Sequence, residues 1–198
     1  MKTIVDTLQE ANQVIEVGRD EHLRYIVPVQ QESDLFIKRE IILREPGAHV
    51  DVLGILLGIG KGSARVQIDT VHAAPNTTGR TEFRAVLRYQ AQFDFFGMIK
   101  ILPGAHGSQD FLQQDSLLLS DKARANTVPG LEIEADDVKA SHGATVKPID
   151  PEKIFYLQSR GLSLTDAEQM LIQGFIAQII EKMDNADVKK SFLPEIYA

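Results

Sequence analysis

The chain of 198 residues is 43% hydrophobic and 25% charged and carries a net charge of −7, values typical of a globular protein with one sizeable core. The acidic balance, without any cluster of Lys and Arg, argues against nucleic-acid binding. The sequence contains no Cys, which excludes disulfides and thiolate ligands within it, and it has neither an apolar run of membrane-spanning length nor a signal-peptide pattern, so we expect a cytoplasmic protein that does not enter a membrane.

Short apolar or alternating runs dominate the chain as far as residue 140, which is typical of β-strands. Residues 3–15 are ambiguous between a short helix and an extended lead-in. The predicted strands are Tyr25–Val29, Leu35–Leu43, Val50–Ile59, Ala64–Val71, Phe83–Phe95, Met98–Leu102, Ser116–Leu119, Leu131–Ala135 and Val138–Ala140. So many short strands indicate a sandwich, a barrel or a β-solenoid, and the sequence repeats are too blurred to choose among them.

The strict alternation of Leu131–Asp136 predicts a half-buried strand with its apolar side chains pointing inward. Glu132, Glu134 and Asp136 would then form a row of carboxylates on the outer face, because side chains two residues apart share a face. Such a row suits a hard cation or acid–base chemistry, although a solvated strand face followed by a turn is the more common explanation. A bend is expected at Asp137, where the alternation stops.

A change of pattern at Asp150 and Pro151 marks the start of a helix, which Gly161 ends. Ser163 and Asp166 have the spacing of a capping box at the start of a second helix. The apolar residues of this second helix recur at intervals of three and four, which predicts a wide buried stripe: Leu171, Ile172, Phe175, Ile176, Ile179, Ile180 and Met183. The tail after about residue 184 is expected to be looser.

Several segments resemble, in the same order, those of the SufB/SufD family, the scaffold proteins of the SUF system of iron–sulfur cluster assembly. The resemblance is closer to SufD than to SufB and is strongest over about residues 80–180. It rests on GMIKILPG from Gly97, LLLSDKARA from Leu117, LEIEADDVK from Leu131, SHGATV from Ser141 and IFYLQSRG from Ile154.

This resemblance implies a mainly β fold: a right-handed β-helix core in residues 1–149, with a helix pair in residues 150–198 packed on it in one structural domain. It also implies a non-enzymatic scaffold subunit that dimerises through the β-helix, with itself or with a SufB-like partner. A SufC-like ATPase would bind the C-terminal helices. The matching helix positions, any of which also suits simple packing or helix termination, are Phe155, Tyr156, Leu157, Arg160 and Gly161.

The resemblance further makes His142 a candidate iron or cluster ligand at a subunit interface. The alternative is a histidine that hydrogen-bonds within a turn at Ser141–Thr145, which Gly143 would permit. Glu134 and Asp136 are weaker metal candidates beside it.

The sequence departs from the family where many relatives carry Cys, at Ala140, and where the SufB branch places a Cys, at Gln114. Since clusters are chiefly held by thiolates, we expect no cluster bound by this chain alone, only one shared transiently with a partner. The chain also resembles a short form without the usual N-terminal region of the family.

Two other functions fit the pattern. A polysaccharide lyase or hydrolase on a β-solenoid would use Glu132, Glu134 and Asp136, although the absence of Trp weakens this hypothesis. A protein-interaction module without any cluster role is the other alternative.

Overall fold

A computed structural model of the chain describes residues 1–31 and 33–196. In these ranges the backbone forms a series of strands followed by helices. The strands are β1 (Lys2–Val5), β2 (Asn12–Val17), β3 (His22–Gln31), β4 (Leu35–Leu43), β5 (His49–Gly58), β6 (Ser63–His72), β7 (Thr78–Leu87), β8 (Gln92–Ile101), β9 (Gln109–Leu118), β10 (Arg124–Ile133) and β11 (Lys139–Pro148). The helices are α1 (Pro151–Ser159), α2 (Leu164–Met183) and α3 (Ala186–Ile196).

Successive strands alternate between two parallel sheets. The first sheet has the order β1-β3-β5-β7-β9-β11, and the second has the order β10-β8-β6-β4-β2. Leu23 pairs with Val50, Val50 with Gly79, Gly79 with Asp110 and Asp110 with Ala140, so each step along the first sheet advances the chain by one turn of 27 to 31 residues. This coil of about five turns confirms the predicted β-solenoid core followed by helices.

The interior of the solenoid is filled by every second side chain of both sheets. In β4, for example, Ile37 and Ile41 point inward and are fully buried. Phe83, Phe93 and Phe95 form an aromatic cluster, with ring centroids 5.2–6.2 Å apart. Stacked in register, these side chains leave no room for a bulky neighbour: a Cβ added to Gly54 would lie 2.0 Å from the ring of Phe83 on the next turn.

A second apolar core lies on the outer face of the first sheet, where α2 packs. Ile172, Ile176 and Ile179 of α2 are buried in one cluster with outward-facing residues of the sheet such as Leu53 and Ile55. The predicted buried stripe of this helix is therefore confirmed. It also explains why β5 reads as a continuous apolar run, because part of this strand is covered on both faces.

Several element boundaries differ from the prediction. The run Phe83–Phe95 is not one strand; it contains the end of β7, a turn and the start of β8. Residues 3–15, ambiguous in the sequence, include most of β1, the connection after it and the first part of β2. The tail beyond residue 184 forms α3 and buries Phe192 against the second core. No helix of the described ranges is long and apolar enough to cross a bilayer.

A buried ion pair lies in the first turns of the solenoid. Asp6 accepts hydrogen bonds from Nε (2.5 Å) and Nη2 (3.0 Å) of Arg39, which is fully buried at an inward-facing position of β4. The hydroxyl of Tyr25 donates to the same carboxylate at 2.8 Å. Burial alone would raise the pKa of Asp6, but the bonds from Arg39, the Leu8 backbone amide and Tyr25 outweigh it and lower this pKa.

We expect Asp6→Asn to lower the free energy of unfolding by about 3–5 kcal/mol, because it leaves the Arg39 guanidinium buried without its counter-charge. The folded-state pKa of Asp6 is depressed, so its contribution is present above the unfolded pKa of about 3.9 and is lost as the pH falls through the lower folded value. Urea unfolding at several pH values measures both effects, and the variant should lose less stability than the wild type below about pH 4.

Glu16→Gln provides the matched control, since Glu16 pairs with Arg44 at the surface and both side chains are at least half exposed. This substitution should change the free energy of unfolding by less than about 1 kcal/mol. An Asp6→Asn variant as stable as the control would contradict the role assigned to the buried pair.

Candidate functional site at the open end of the solenoid

The last turn of the solenoid has no further turn over it within the described residues. β10 pairs only with β8, and β11 pairs only with β9, so each strand has one edge with unpaired backbone groups. Most side chains of the two strands are exposed, and none is buried. This part of the molecule, defined by β10 and β11, is called the end turn below.

The end turn presents inward-facing side chains to solvent. In parallel pairs, residues in register point to the same face. Leu131 is in register with Ile99, Ile133 with Ile101 and Val146 with Ser116, all of which are buried or face the interior. The predicted inward direction of Leu131 and Ile133 therefore agrees with the register. They are nevertheless 39% and 43% exposed, because nothing lies over them.

The layer directly below the end turn contains a small polar group on its β9 side. Gln114 and Ser116 are fully buried, and the Gln114 amide donates to the Ser116 hydroxyl at 2.9 Å. Thr127 of the end turn donates to Gln114 Oε1 at 2.6 Å. Gln114, where the SufB branch places a Cys, therefore lies in the interior of the solenoid, close to its open end.

His142 is exposed at the middle of β11 and is in register with the buried Leu112, so it shares the inward face of the end turn. Among the described residues it has no hydrogen-bonding partner, and the predicted turn at Ser141–Thr145 is wrong because these residues lie inside the strand. At Gly143 an added Cβ would lie 2.3 Å from the Oε1 atom of Gln113, which is the movable end of that side chain.

Glu132, Glu134 and Asp136 do not form the predicted row of carboxylates. β10 ends at Ile133, so that only Glu132 lies in the strand, where it is 3.7 Å from Lys100. Glu134 and Asp136 follow in an exposed turn. The predicted bend is confirmed at Asp137, whose φ of 53° is left-handed.

A second group of potential ligands lies on the outer face of the first sheet and was missed in the sequence. The Nε2 atoms of His22 and His49 lie 2.9 and 3.3 Å from the two carboxylate oxygens of Asp51. Burial would raise the pKa of Asp51, but hydrogen bonds from His49 and His22 outweigh it and lower the pKa to about 2. The signal was available: His49 and Asp51 have the spacing of one strand face, and His22 lies one turn earlier.

The two remaining histidines have structural surroundings. His72 is fully buried, with Nδ1 2.8 Å from the Thr77 hydroxyl and Nε2 2.9 Å from Asp110. This arrangement resembles a catalytic triad but is closed to substrate, since all three side chains are inside the solenoid. His106 lies in an exposed turn and contacts the backbone carbonyl of Asp136 at 3.1 Å.

The helix α1 stands apart from both cores. Its cap is the one predicted: the Asp150 carboxylate accepts from the amides of Glu152 and Lys153, and Pro151 occupies the first turn. No residue of α1 is buried. Phe155 is 73% exposed and Tyr156 is 56% exposed, so the packing explanation fails for these two residues.

The other matched positions lie beside these two residues or at the end of α1. Leu157 is half-buried, and the guanidinium of Arg160 lies 5.2 Å from the ring centroid of Tyr156. Gly161 has a φ of 97° and ends α1, with the Leu162 amide bonded to the Leu157 carbonyl. The predicted helix stop at Gly161 is confirmed. The surface formed by Phe155, Tyr156, Leu157 and Arg160 is called the α1 surface below.

The class of protein is defined by these features: a parallel β-solenoid with an uncovered end turn and a lateral layer of helices. The family model described as "SUF system FeS cluster assembly, SufBD core domain" matches residues 5–175. The chain belongs to this family, and the resemblance to the SufD side is confirmed.

Relatives support the same assignment. The chain is 29% identical over 179 residues to the iron–sulfur cluster assembly protein SufD of Bacillus subtilis, covering 90% of this chain and 41% of that protein. It is 43% identical over 102 residues to SufD of Escherichia coli, covering 52% of this chain and 24% of that protein. A SufBD family protein of Mycobacterium leprae is 28% identical over 188 residues, covering 91% of this chain and 48% of that protein. The chain thus spans less than half the length of these relatives.

Proposed function

We propose that this chain is a SufD-like scaffold subunit of a cytoplasmic SUF complex for iron–sulfur cluster assembly. In this proposal the end turn joins a second SufB/SufD-type subunit, and the α1 surface binds a SufC-like ATPase. The observation that carries the proposal is the end turn itself, in which Leu131, Ile133 and Val146 occupy core-facing positions but remain 39–43% exposed. The carboxylates needed by a polysaccharide-cleaving enzyme do not share a strand face, so that alternative has lost its support.

The free strand edges of the end turn are the physical reason to expect a second subunit there. A sheet edge with unpaired backbone groups is a template for another strand, and proteins normally cover it. A partner with an equivalent end would extend both sheets and cover the apolar side chains of the end turn at the same time. Either an identical chain or a SufB-like subunit meets this requirement, since both would present parallel strands.

We expect Val146→Arg in the end turn to abolish association with the partner subunit, because it places a charge in a strand-to-strand contact that excludes water. The stability of the isolated chain should change by less than about 0.5 kcal/mol, since Val146 is exposed and packs little in the free subunit. Light scattering after gel filtration, for the chain alone and mixed with a SufB-like partner, measures the association.

Val14→Arg is the matched control, because Val14 is 59% exposed on β2, near the other end of the second sheet. It should leave association unchanged. Equal association of the Val146 variant and the wild type would refute the use of the end turn as an interface.

His142 is proposed to contribute an imidazole to the cluster while it is assembled at this subunit seam. The cluster is cargo here, and because this chain contains no Cys, the thiolate ligands must come from a partner or a thiol compound. The support is positional: His142 is exposed, free of hydrogen bonds to described residues, and on the inward face of the end turn.

His142→Ala should lower the amount of cluster assembled on the reconstituted complex by at least about tenfold. The complex itself should still form, because the substitution removes no strand pairing. Iron and sulfide analysis, together with visible absorption of the purified complex, gives the measurement. His106→Ala, a change at an exposed turn, serves as the control. Normal cluster loading of the His142 variant would refute the role proposed for this imidazole.

The α1 surface is proposed to bind the ATPase. A large exposed aromatic on a helix without any buried residue is unusual in a free-standing protein, and aromatic residues with Arg are typical of binding hot spots. Here Phe155 and Tyr156 lie on such a helix, and Arg160 at its C-cap contacts the ring of Tyr156. Because α1 contacts α2, which is packed on the first sheet, a force applied to α1 would reach the solenoid through α2.

Phe155→Asp should weaken binding to the ATPase by at least about 2 kcal/mol, equivalent to roughly 30-fold, because it removes a candidate anchor and buries a charge. Calorimetric titration of a SufC-like ATPase into the chain provides the affinity. Phe36→Asp changes an equally large but different exposed aromatic, on β4 of the second sheet, and should have no effect. The proposal fails if the two variants bind the ATPase alike.

A further inference from the structure

We propose that His22, His49 and Asp51 form a binding site for a divalent transition-metal ion on the outer face of the first sheet. One ligand atom from each residue lies within 4.8 Å of the others. No other group of three His, Cys, Asp or Glu side chains in the described part of the chain meets this distance. The proposal does not depend on the subunit or ATPase contacts. By sheet order β11 lies three strands from β5, roughly 14 Å away, and His142 faces the interior instead.

The distances suit a metal ion. Ligand atoms bound to zinc at about 2.0–2.1 Å in a tetrahedron are separated by roughly 3.3 Å. The two carboxylate oxygens of Asp51 lie 2.9 Å from His22 Nε2 and 3.3 Å from His49 Nε2. An ion between the three groups would replace the protons that now link each imidazole to the carboxylate, and the ligand atoms, now within 4.8 Å of one another, would close to about this separation.

The backbone holds these groups in place before any ion arrives. His22 and His49 are direct partners in the parallel register of β3 and β5, and Asp51 lies two residues along the same face. The two imidazole rings are 4.0 Å apart between centroids. Two imidazolium ions at this distance would repel each other, whereas two neutral imidazoles direct their lone pairs toward a common cation.

Neighbouring arginines do not occupy the carboxylate. Arg24 and Arg80 are the register partners of Asp51 on either side, yet Arg80 donates to Glu82 at 2.6 Å and Arg24 lies 4.0 Å from Asp184. Among the described residues neither guanidinium group forms an ion pair with Asp51, so its carboxylate is left to the two histidines.

The donor set and the access determine the class of ion. Two imidazoles and one carboxylate are the ligands of open zinc sites and of the facial triad that binds ferrous iron, whereas Mg²⁺ and Ca²⁺ prefer oxygen alone. The three side chains are 37%, 34% and 22% exposed, so an ion can enter from solvent. With three protein ligands, the fourth position is open to water or to a donor from another molecule.

Titration of the tag-free full chain with Zn²⁺, and anaerobically with Fe²⁺, tests the proposal. We expect one ion per chain, with affinity lowered at least about tenfold in His22→Gln, in His49→Gln and in Asp51→Asn. His106→Gln, which removes an exposed histidine elsewhere, should bind as the wild type does. Comparison of the affinities for Zn²⁺ and Fe²⁺ shows which ion the site prefers.

A measurement on the wild-type chain guards against variants that fail to fold. Of the five histidines, only two should show imidazole NMR signals that shift and saturate at one equivalent of Zn²⁺. The proposal is overturned if neither ion binds, if the three variants bind as tightly as the control, or if the shifted signals belong to other histidines.

Discussion

The structure depends on one constraint: each turn of a parallel solenoid covers the inward face of its neighbour and satisfies its strand edges. Phe83 fills the space above Gly54 because their turns are in register, and the same repetition places Phe93 and Phe95 beside it. Every turn of such a coil presents an edge on which a further turn could stack. The last turn of the coil therefore exposes core-type side chains and unpaired backbone groups to solvent, as the end turn does.

The helices do not cover the end turn; α2 covers the outer face of the first sheet. α2 lies over the apolar residues of the first sheet and is anchored there by Lys182, whose amino group is 2.7 and 2.8 Å from the oxygens of Glu82. Burial would raise the pKa of Glu82, but Lys182 and Arg80 outweigh it and lower that pKa. The helix α1 contacts α2 but buries none of its own residues, so its aromatic residues stay exposed.

Stacking of the turns also brings polar side chains of adjacent turns into contact. Inside the coil, Arg39 pairs with Asp6, and Nε2 of His72 lies 2.9 Å from Asp110, so that these buried groups find partners on adjacent turns. On the outer face, equivalent positions of consecutive turns bring His22 against His49. A scaffold that repeats every 27 to 31 residues thus brings together residues that are distant in the chain.

The sequence alone determined the strand-rich core, the two helix starts at Asp150 and Ser163 and the stop at Gly161, because capping and alternation are local properties. Its family-specific segments also identified SufB/SufD relatives. Tertiary structure alone decided that Ser141–Thr145 is straight, that Glu134 and Asp136 leave the strand, and that His22 meets His49. The physical reason is that register between turns sets these outcomes, and register arises from packing between residues far apart in the chain, which no local pattern records.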